Sequence, residues 1–313
     1  MSPKCQVTVV GSYNIGLYFL GQRLPGPGET VIADHFCEMP GGKGSNQAMA
    51  VSRLGTATQF VARLGQDRHG DQAVSMYERE QISTRYIHRD STTHTGIGVV
   101  MVDAGGRNQI SVAPGANYRL SEKDIDEAEP AFLDSCVVGF QLENRSEVVE
   151  YAIRKVHGLG VPTLLDPAPA AKLPEDLFAC IDYLKPNEHE AEILTDLPVK
   201  DVEGSMGAGR WFLDHGVKTA IITLGELGAV WVTEGEEEHL LPPRVQAIDT
   251  TGAGDIFSGA FMAAIAQRKS LRDSIEFASV AAAISVTRLG VVEAIPRLHE
   301  VLAFQKKSGA VQA

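Results

Sequence analysis

The residues best suited to chemistry lie in Asp249-Thr250-Thr251-Gly252-Ala253-Gly254-Asp255, which leads into an apolar helical run ending near Gln267. Gly252-Ala253-Gly254 lets the chain turn tightly into a helix start. There unpaired N–H groups and the positive dipole end make an anion hole. Asp255, in the first turn, fits a general base that takes a proton from a hydroxyl while backbone amides hold a phosphoryl group in flight. Simple stabilisation of the helix dipole explains a lone Gly-x-Gly-Asp equally well. The second stretch is Pro40-Gly41-Gly42-Lys43-Gly44-Ser45-Asn46-Gln47-Ala48. It lacks Walker A spacing, yet its glycines permit close approach of a ligand to backbone, and Asn46 can cap a helix or bind hydroxyls.

These segments need a scaffold. Short apolar runs, Val7–Val10, Gln59–Ala62, Cys136–Phe140, Pro162–Leu165, Tyr183–Leu184 and Thr219–Thr223, read as buried strands. Helical patterns fall between them at Asn46–Leu54, Asp71–Glu80, Ser146–His157, Glu188–Thr195 and Ser205–His215. The alternation predicts an α/β fold, a three-layer αβα sandwich with a mainly parallel central sheet. Two segments, about 13–40 and 95–112, leave no room for crossover helices and predict a small separate β-sheet, a lid. The second of these turns at Asp103-Ala104-Gly105-Gly106-Arg107, as a hairpin does.

The chain has 313 residues, 44% hydrophobic, with 28 Lys+Arg against 40 Asp+Glu and a net charge of −12. Without a basic block this excludes a general nucleic-acid or anionic-membrane binder. No apolar run approaches the ~18–20 residues that span a bilayer. The four cysteines, Cys5, Cys37, Cys136 and Cys180, are far apart and form no C-x-x-C pair. They read as free thiols in a reducing cytoplasm. The histidines show no zinc-ligand spacing.

Taken together, the motifs resemble the ribokinase family of carbohydrate kinases across nearly the whole chain, 1–313, as one kinase domain carrying the lid. The resemblance rests on Gly11-Ser12-Tyr13-Asn14, Pro27-Gly28-Glu29-Thr30, Gly41 to Ala48, Gln141-Leu142-Glu143, Asp166-Pro167-Ala168-Pro169, Pro186-Asn187-Glu188-His189-Glu190, Ile222-Thr223-Leu224-Gly225 and Asp249 to Asp255, in that order. It implies an ATP-dependent kinase acting on the primary hydroxyl of a ribose-like sugar. Asp255 would be the base, with Gly252, Ala253 and Gly254 as the anion hole. Asn14, Gly42, Lys43, Asn46 and Glu143 would hold the sugar. Asn187 and Glu190 would serve Mg2+ and the phosphates. Thr223, Gly225, Gly228 and Ser279 would lie against the nucleotide. Asp249 and Thr251, with Ser285, Arg288 and Gly290 in the later segment, would form a K+ site. The resemblance further implies a cytoplasmic homodimer joined through the lids, whose outer apolar residues include Leu17, Phe19 and Leu20.

The family usually continues Asn-x-Asp after the first strand, the aspartate gripping two ring hydroxyls. Here the run is Asn14-Ile15-Gly16. A charge-assisted hydrogen bond is worth about 1.5–3 kcal/mol. Either another residue replaces that contact or the substrate is not ribose, and the missing side chain is expected to leave room for a larger or differently hydroxylated sugar. Two rivals stand beside this reading. One is a kinase of another sugar or of a nucleoside. The other is a silent sugar- or nucleotide-binding regulator, which would need neither Asp255 nor the intact glycine turn.

Overall fold

The structure is a computed structural model and describes residues 5–309. In chain order its elements begin with β1 (Gln6–Val10), β2 (Asn14–Leu20), β3 (His35–Gly41), α1 (Lys43–Arg53), β4 (Thr58–Gly65), α2 (Arg68–Arg79) and β5 (Ile82–Asp90). There follow β6 (Gly96–Val102), β7 (Asn108–Ala113), the short helices α3 (Glu122–Glu127) and α4 (Glu129–Leu133), β8 (Ser135–Phe140), α5 (Ser146–Gly158), β9 (Thr163–Leu165) and β10 (Tyr183–Leu184). The remainder is α6 (Glu188–Thr195), α7 (Val202–Asp214), β11 (Thr219–Thr223), β12 (Ala229–Val232), β13 (Glu237–Leu240), α8 (Ala253–Ala266), α9 (Leu271–Ser285) and α10 (Leu298–Gly309).

Nine strands form the main sheet, in the order β13-β12-β11-β10-β9-β8-β1-β4-β5. All neighbours are parallel except β11–β12 and β12–β13. The central strands are apolar on both faces because helices cover both. In β1, Val7 and Val9 point into one core, with α1, α8 and α9, while Val10 joins a second core with α5, α6 and α7. β4 divides the same way, Phe60 and Ala62 against Val61. This is the period-two alternation of a strand buried on both sides.

The lid is a separate four-stranded sheet, in the order β3-β2-β6-β7. It is built from the two segments expected to form it. β6 and β7 are antiparallel, and Asp103 Oδ1 accepts from the backbone N–H groups of Gly105 and Arg107 to close the hairpin turn. Phe19, Leu20 and Phe36 are exposed on the lid, with Leu17 half-buried.

The cysteine reading requires correction. Cys5 and Cys136 lie side by side, with Cα atoms 5.7 Å apart, within the span of a disulfide. They are 131 residues apart in sequence, but β1 and β8 are neighbouring strands that bring Gln6 opposite Ser135. Cys37 and Cys180 are free. Among the described residues no helix is long and apolar enough to cross a membrane.

Candidate active site

The parallel strands deliver the site. β1, β8, β9, β10 and β11 end at Val10, Phe140, Leu165, Leu184 and Thr223, and the residues just beyond these ends gather along one edge of the sheet. Crevices at such carboxyl ends are where open α/β sheets hold ligands.

Beyond β1 the chain turns directly into the lid. Gly42, the residue before α1, has φ 92°, and a Cβ there would lie 2.7 Å from Tyr13 Cα and 2.8 Å from Asn14 N. Only glycine lets the start of α1 approach Asn14 so closely. Asn117 fixes the other side: its amide donates to Tyr13 O and to Asn14 Oδ1, each at 2.9 Å. Glu143, beyond β8, accepts from the backbone N–H of Lys43 at 2.8 Å and from the Ser12 hydroxyl. The predicted sugar-site residues Asn14, Gly42, Lys43 and Glu143 are thus brought together.

Asp255 lies in the first turn of α8 and is 4% exposed. It accepts from Asn46 Nδ2 at 2.8 Å, and Lys43 Nζ stands 3.7 Å away. Burial pushes the Asp255 carboxyl above its ordinary range; the Lys43 ammonium opposes the shift, while Asp166 adds to it. The charge of Asp255 in turn raises the Lys43 ammonium and keeps it protonated. Asn46 Oδ1 is buried with no hydrogen-bond partner among the described residues, an acceptor suited to a hydroxyl donor. Gly252, at the α8 N-cap, has φ 75°, and a Cβ there would strike Val291 Cγ1 at 2.5 Å. The predicted anion-hole residues Gly252, Ala253 and Gly254 and the predicted base Asp255 therefore share one helix start. Ala253 N is engaged by Thr250 O in the entering turn.

One central residue escaped the sequence reading. Lys185, just beyond β10, places Nζ 3.0 Å from Asp166 Oδ2 and 3.3 Å from Gly254 O. Asp166, just beyond β9, also accepts from Gln47 Nε2 at 3.0 Å and Ser258 Oγ at 2.9 Å, while its Oδ1 has no hydrogen-bond partner among the described residues. Lys185 joins the helix start to the Asn187 segment. The usable signal was its place, two residues before Asn187 at the end of an apolar strand.

Asn187 and Glu190 form a capping box on α6: Asn187 Oδ1 accepts from Glu190 N and Glu190 Oε2 from Asn187 N, both at 2.8 Å. Burial raises the Glu190 carboxyl, with Lys185 the main opposing charge. A β-bridge ties Asn187 to Thr223. Gly225 and Gly228 have positive φ, and a Cβ on Gly228 would lie 2.0 Å from Leu240 O. Ser279 sits apart from them in sequence, on the buried side of α9, 7% exposed. Among the described residues no three His, Cys, Asp or Glu side chains converge to hold a metal alone. Mg2+ typically takes one or two carboxylates and completes its shell with water and substrate phosphates, and Glu190 keeps one carboxylate oxygen outside its cap.

The proposed cation segment is also assembled. Asp249 accepts from Thr251 N at 2.9 Å and from Gly290 N at 3.0 Å. Burial acts to raise its carboxyl, but these hydrogen bonds hold it below the ordinary value. Ile248 N and Asp249 N both donate to Val286 O, so the 248–251 and 285–290 segments are stitched together. The Ser285 carbonyl already accepts from Arg288 N, and the Arg288 guanidinium turns away to Glu300. An oxygen-rich loop of this kind suits a hard monovalent cation through Asp249 and backbone carbonyls, not through the Arg288 side chain.

The space expected at Gly16 is not vacant. A Cβ on Gly16 would lie 2.6 Å from Tyr18 Cε2 and 3.3 Å from Met39 O. The Tyr18 ring folds back along β2 and occupies it.

The model of the pfkB family of carbohydrate kinases matches residues 4–298. A ribokinase from Haemophilus influenzae is 38% identical over 298 residues, covering 95% of this chain and 97% of the relative. A deoxyribokinase from Salmonella typhi is 35% identical over 295 residues, covering 94% and 96%. The structure of Arabidopsis thaliana ribokinase complexed with ribose and ATP superposes with a TM-score of 0.89 at 32% identity, covering 97% of this chain and 98% of that one.

Proposed function

The chain belongs to the pfkB family of carbohydrate kinases and is a ribokinase-like sugar kinase; on that premise we infer that it transfers the γ-phosphoryl group of ATP to the primary hydroxyl of a ribose-like sugar. The observation that carries this reading is the buried Asp255 carboxyl. Its proton affinity is raised, Asn46 orients it, and it stands at the N-terminus of α8.

Asn14, Gly42, Lys43, Asn46 and Glu143 hold the sugar. The unpartnered Asn46 Oδ1 accepts from a sugar hydroxyl, and Lys43 keeps a protonated donor beside it. Asp255 takes the proton of the primary hydroxyl as its oxygen attacks the γ-phosphorus. The bond to the β,γ-bridging oxygen breaks and ADP leaves. Charge developing on the transferred group meets the amides of Gly252 and Gly254 and the ammonium of Lys185, while the Ala253 amide, engaged by Thr250 O, holds the turn in place. These donors are fixed before reaction, so their effect is electrostatic and positional. Thr223, Gly225, Gly228 and Ser279 accommodate the nucleotide. Asn187 and Glu190 would hold Mg2+ against the phosphates, where the ion neutralises phosphate charge. Asp249, with Thr251 and carbonyls of the Ser285, Arg288 and Gly290 segment, would hold K+, whose charge adds to the potential at the helix start.

The lid covers the sugar and limits loss of ATP to water. Residues 1–313 act as one kinase unit, and two units pair through the lids in the cytoplasm, where Phe19 and Phe36, 5.2 Å apart, offer an exposed apolar patch. Sedimentation of the wild type against Phe36→Glu tests that pairing: an unchanged dimer removes the patch from the interface. ADP release with a panel of pentoses, hexoses and nucleosides tests the activity itself. Sugar-dependent release supports it, whereas a protein that binds sugar or ATP without turnover is the silent regulator instead.

A further inference from the structure

Strand β2 alternates, so Asn14, Gly16 and Tyr18 share one face of the lid. Their partners on that face are Gly41, Met39 and Cys37 on β3 and Gly96, Gly98 and Val100 on β6. The face looks toward the active site. Asn14 meets the start of α1 through Gly42, and Met39 Sδ comes 3.9 Å from where a Gly290 Cβ would lie, beside Asp249. Next to Gly16, Gly98 has nothing within 4 Å of a Cβ, so the two adjacent glycines leave a shallow floor.

One side of that floor is filled. Tyr18 Cε2 and Cδ2 lie 2.6 and 3.4 Å from the Gly16 Cβ position, and the ring is half-buried. Burial, and then the charge of Asp249, raise the phenol above its ordinary value, so it stays neutral. Met39, Cys37 and Val100 complete the surroundings. Among the described residues the lid face at this level therefore carries no carboxylate, its polar atom being the neutral Tyr18 hydroxyl. A sugar hydroxyl pressed against it loses water without gaining a charged acceptor, and a buried polar group left unpaired is unfavourable. A C–H edge meets an aromatic surface instead.

We propose that Tyr18, folded over Gly16, is a specificity-determining residue of the sugar site. It selects a sugar that presents a deoxygenated, C–H edge to the lid in place of a vicinal diol. This rests on the sugar-kinase reading above and narrows its substrate class.

The test measures kcat/KM by ADP release on D-ribose and 2-deoxy-D-ribose for the wild type, Tyr18→Phe, Tyr18→Ala and the double variant Gly16→Asp with Tyr18→Ala. The double variant is needed because Gly16→Asp alone drives Cβ into the Tyr18 ring. KM for ATP and the thermal midpoint accompany each protein as measures of folding. The wild type should favour the deoxy sugar. Tyr18→Phe keeps the ring and should keep the ratio, and Tyr18→Ala should lower it. The double variant should move the ratio toward ribose by about tenfold to a hundredfold, the range of one charge-assisted hydrogen bond. A wild type that favours ribose overturns the proposal. So does a ratio constant within twofold across the variants while both rates fall together, as a purely structural tyrosine would give. If the double variant does not fold, the Tyr18→Ala and Tyr18→Phe ratios decide alone. Absence of ADP release with every sugar sinks the kinase reading itself; turnover with an unmoved ratio sinks only the role of Tyr18.

Discussion

Replacing Lys185 by Met should be among the most damaging substitutions outside the hydrophobic core. Nζ is 3.0 Å from Asp166 Oδ2, and the two side chains are 4% and 2% exposed, so solvent screens neither. Methionine keeps most of the length and removes the charge. Asp166 would then hold a buried negative charge satisfied only by Gln47 and Ser258, with Oδ1 still bare. Removing one partner of a buried ion pair costs about 3–5 kcal/mol, because the other charge is left uncompensated. Lys185 also touches Gly254 O at the helix start, so turnover should fall beyond the loss of stability. The assay is denaturant unfolding of the wild type, Lys185→Met, Asp166→Asn and the double variant, with kcat measured under native conditions. The double variant should recover much of the single-mutant loss, because Asp166→Asn removes the charge that Lys185→Met strands. A Lys185→Met protein within about 1 kcal/mol of wild type, or strictly additive effects, would refute the reasoning.

Two further predictions follow from the charges in the site. The Asp255 carboxyl is pushed up by burial, and only its ionised form can accept a proton. kcat/KM should therefore be low in acid and rise as pH passes through that elevated value, and a profile flat well below neutrality would contradict it. Turnover should also be faster in K+ than in Na+ or a large organic cation, because Asp249 ties the loop before α8 to the Gly290 segment. Equal rates in all three, or Asp249→Ala retaining the K+ effect, would remove the cation from this loop.

The core strands were legible because a strand buried on both faces reads as a continuous apolar run. β10 and β11 fall on the expected residues, and the other core strands lie within a few residues of them. β5, β12 and β13 were not read. β5 and β13 are the edge strands, with Arg85, His88 and Arg89 along one and Glu237, Glu238 and His239 along the other, so neither shows a continuous run; β12 is a buried apolar run of only four residues, Ala229–Val232, that the reading missed. α5 and α6 begin on the expected residues, Ser146 and Glu188, but α1 and α8 begin earlier than periodicity alone indicates, at Lys43 and Ala253. Those first turns are polar or glycine-rich because they face the site. Asp255, Asn46, Lys43 and Glu143 could be named from motif context. Lys185 and the Tyr18 ring could not, since one needs three strand ends brought side by side and the other a ring turned back along its own strand. The Cys5–Cys136 pair is of the same kind: β1 and β8 become neighbours only in the folded sheet.

The central claim is that Asp255 is the base. Asp255→Asn preserves the shape and removes the basicity. Steady-state ADP release on the best sugar of the panel, beside the KM for ATP, tests it most directly. A lost general base should lower kcat by about 10²–10⁴-fold while the KM for ATP stays within a few-fold of wild type. A variant that retains more than about a tenth of the wild-type kcat falls outside that range and would contradict the assignment.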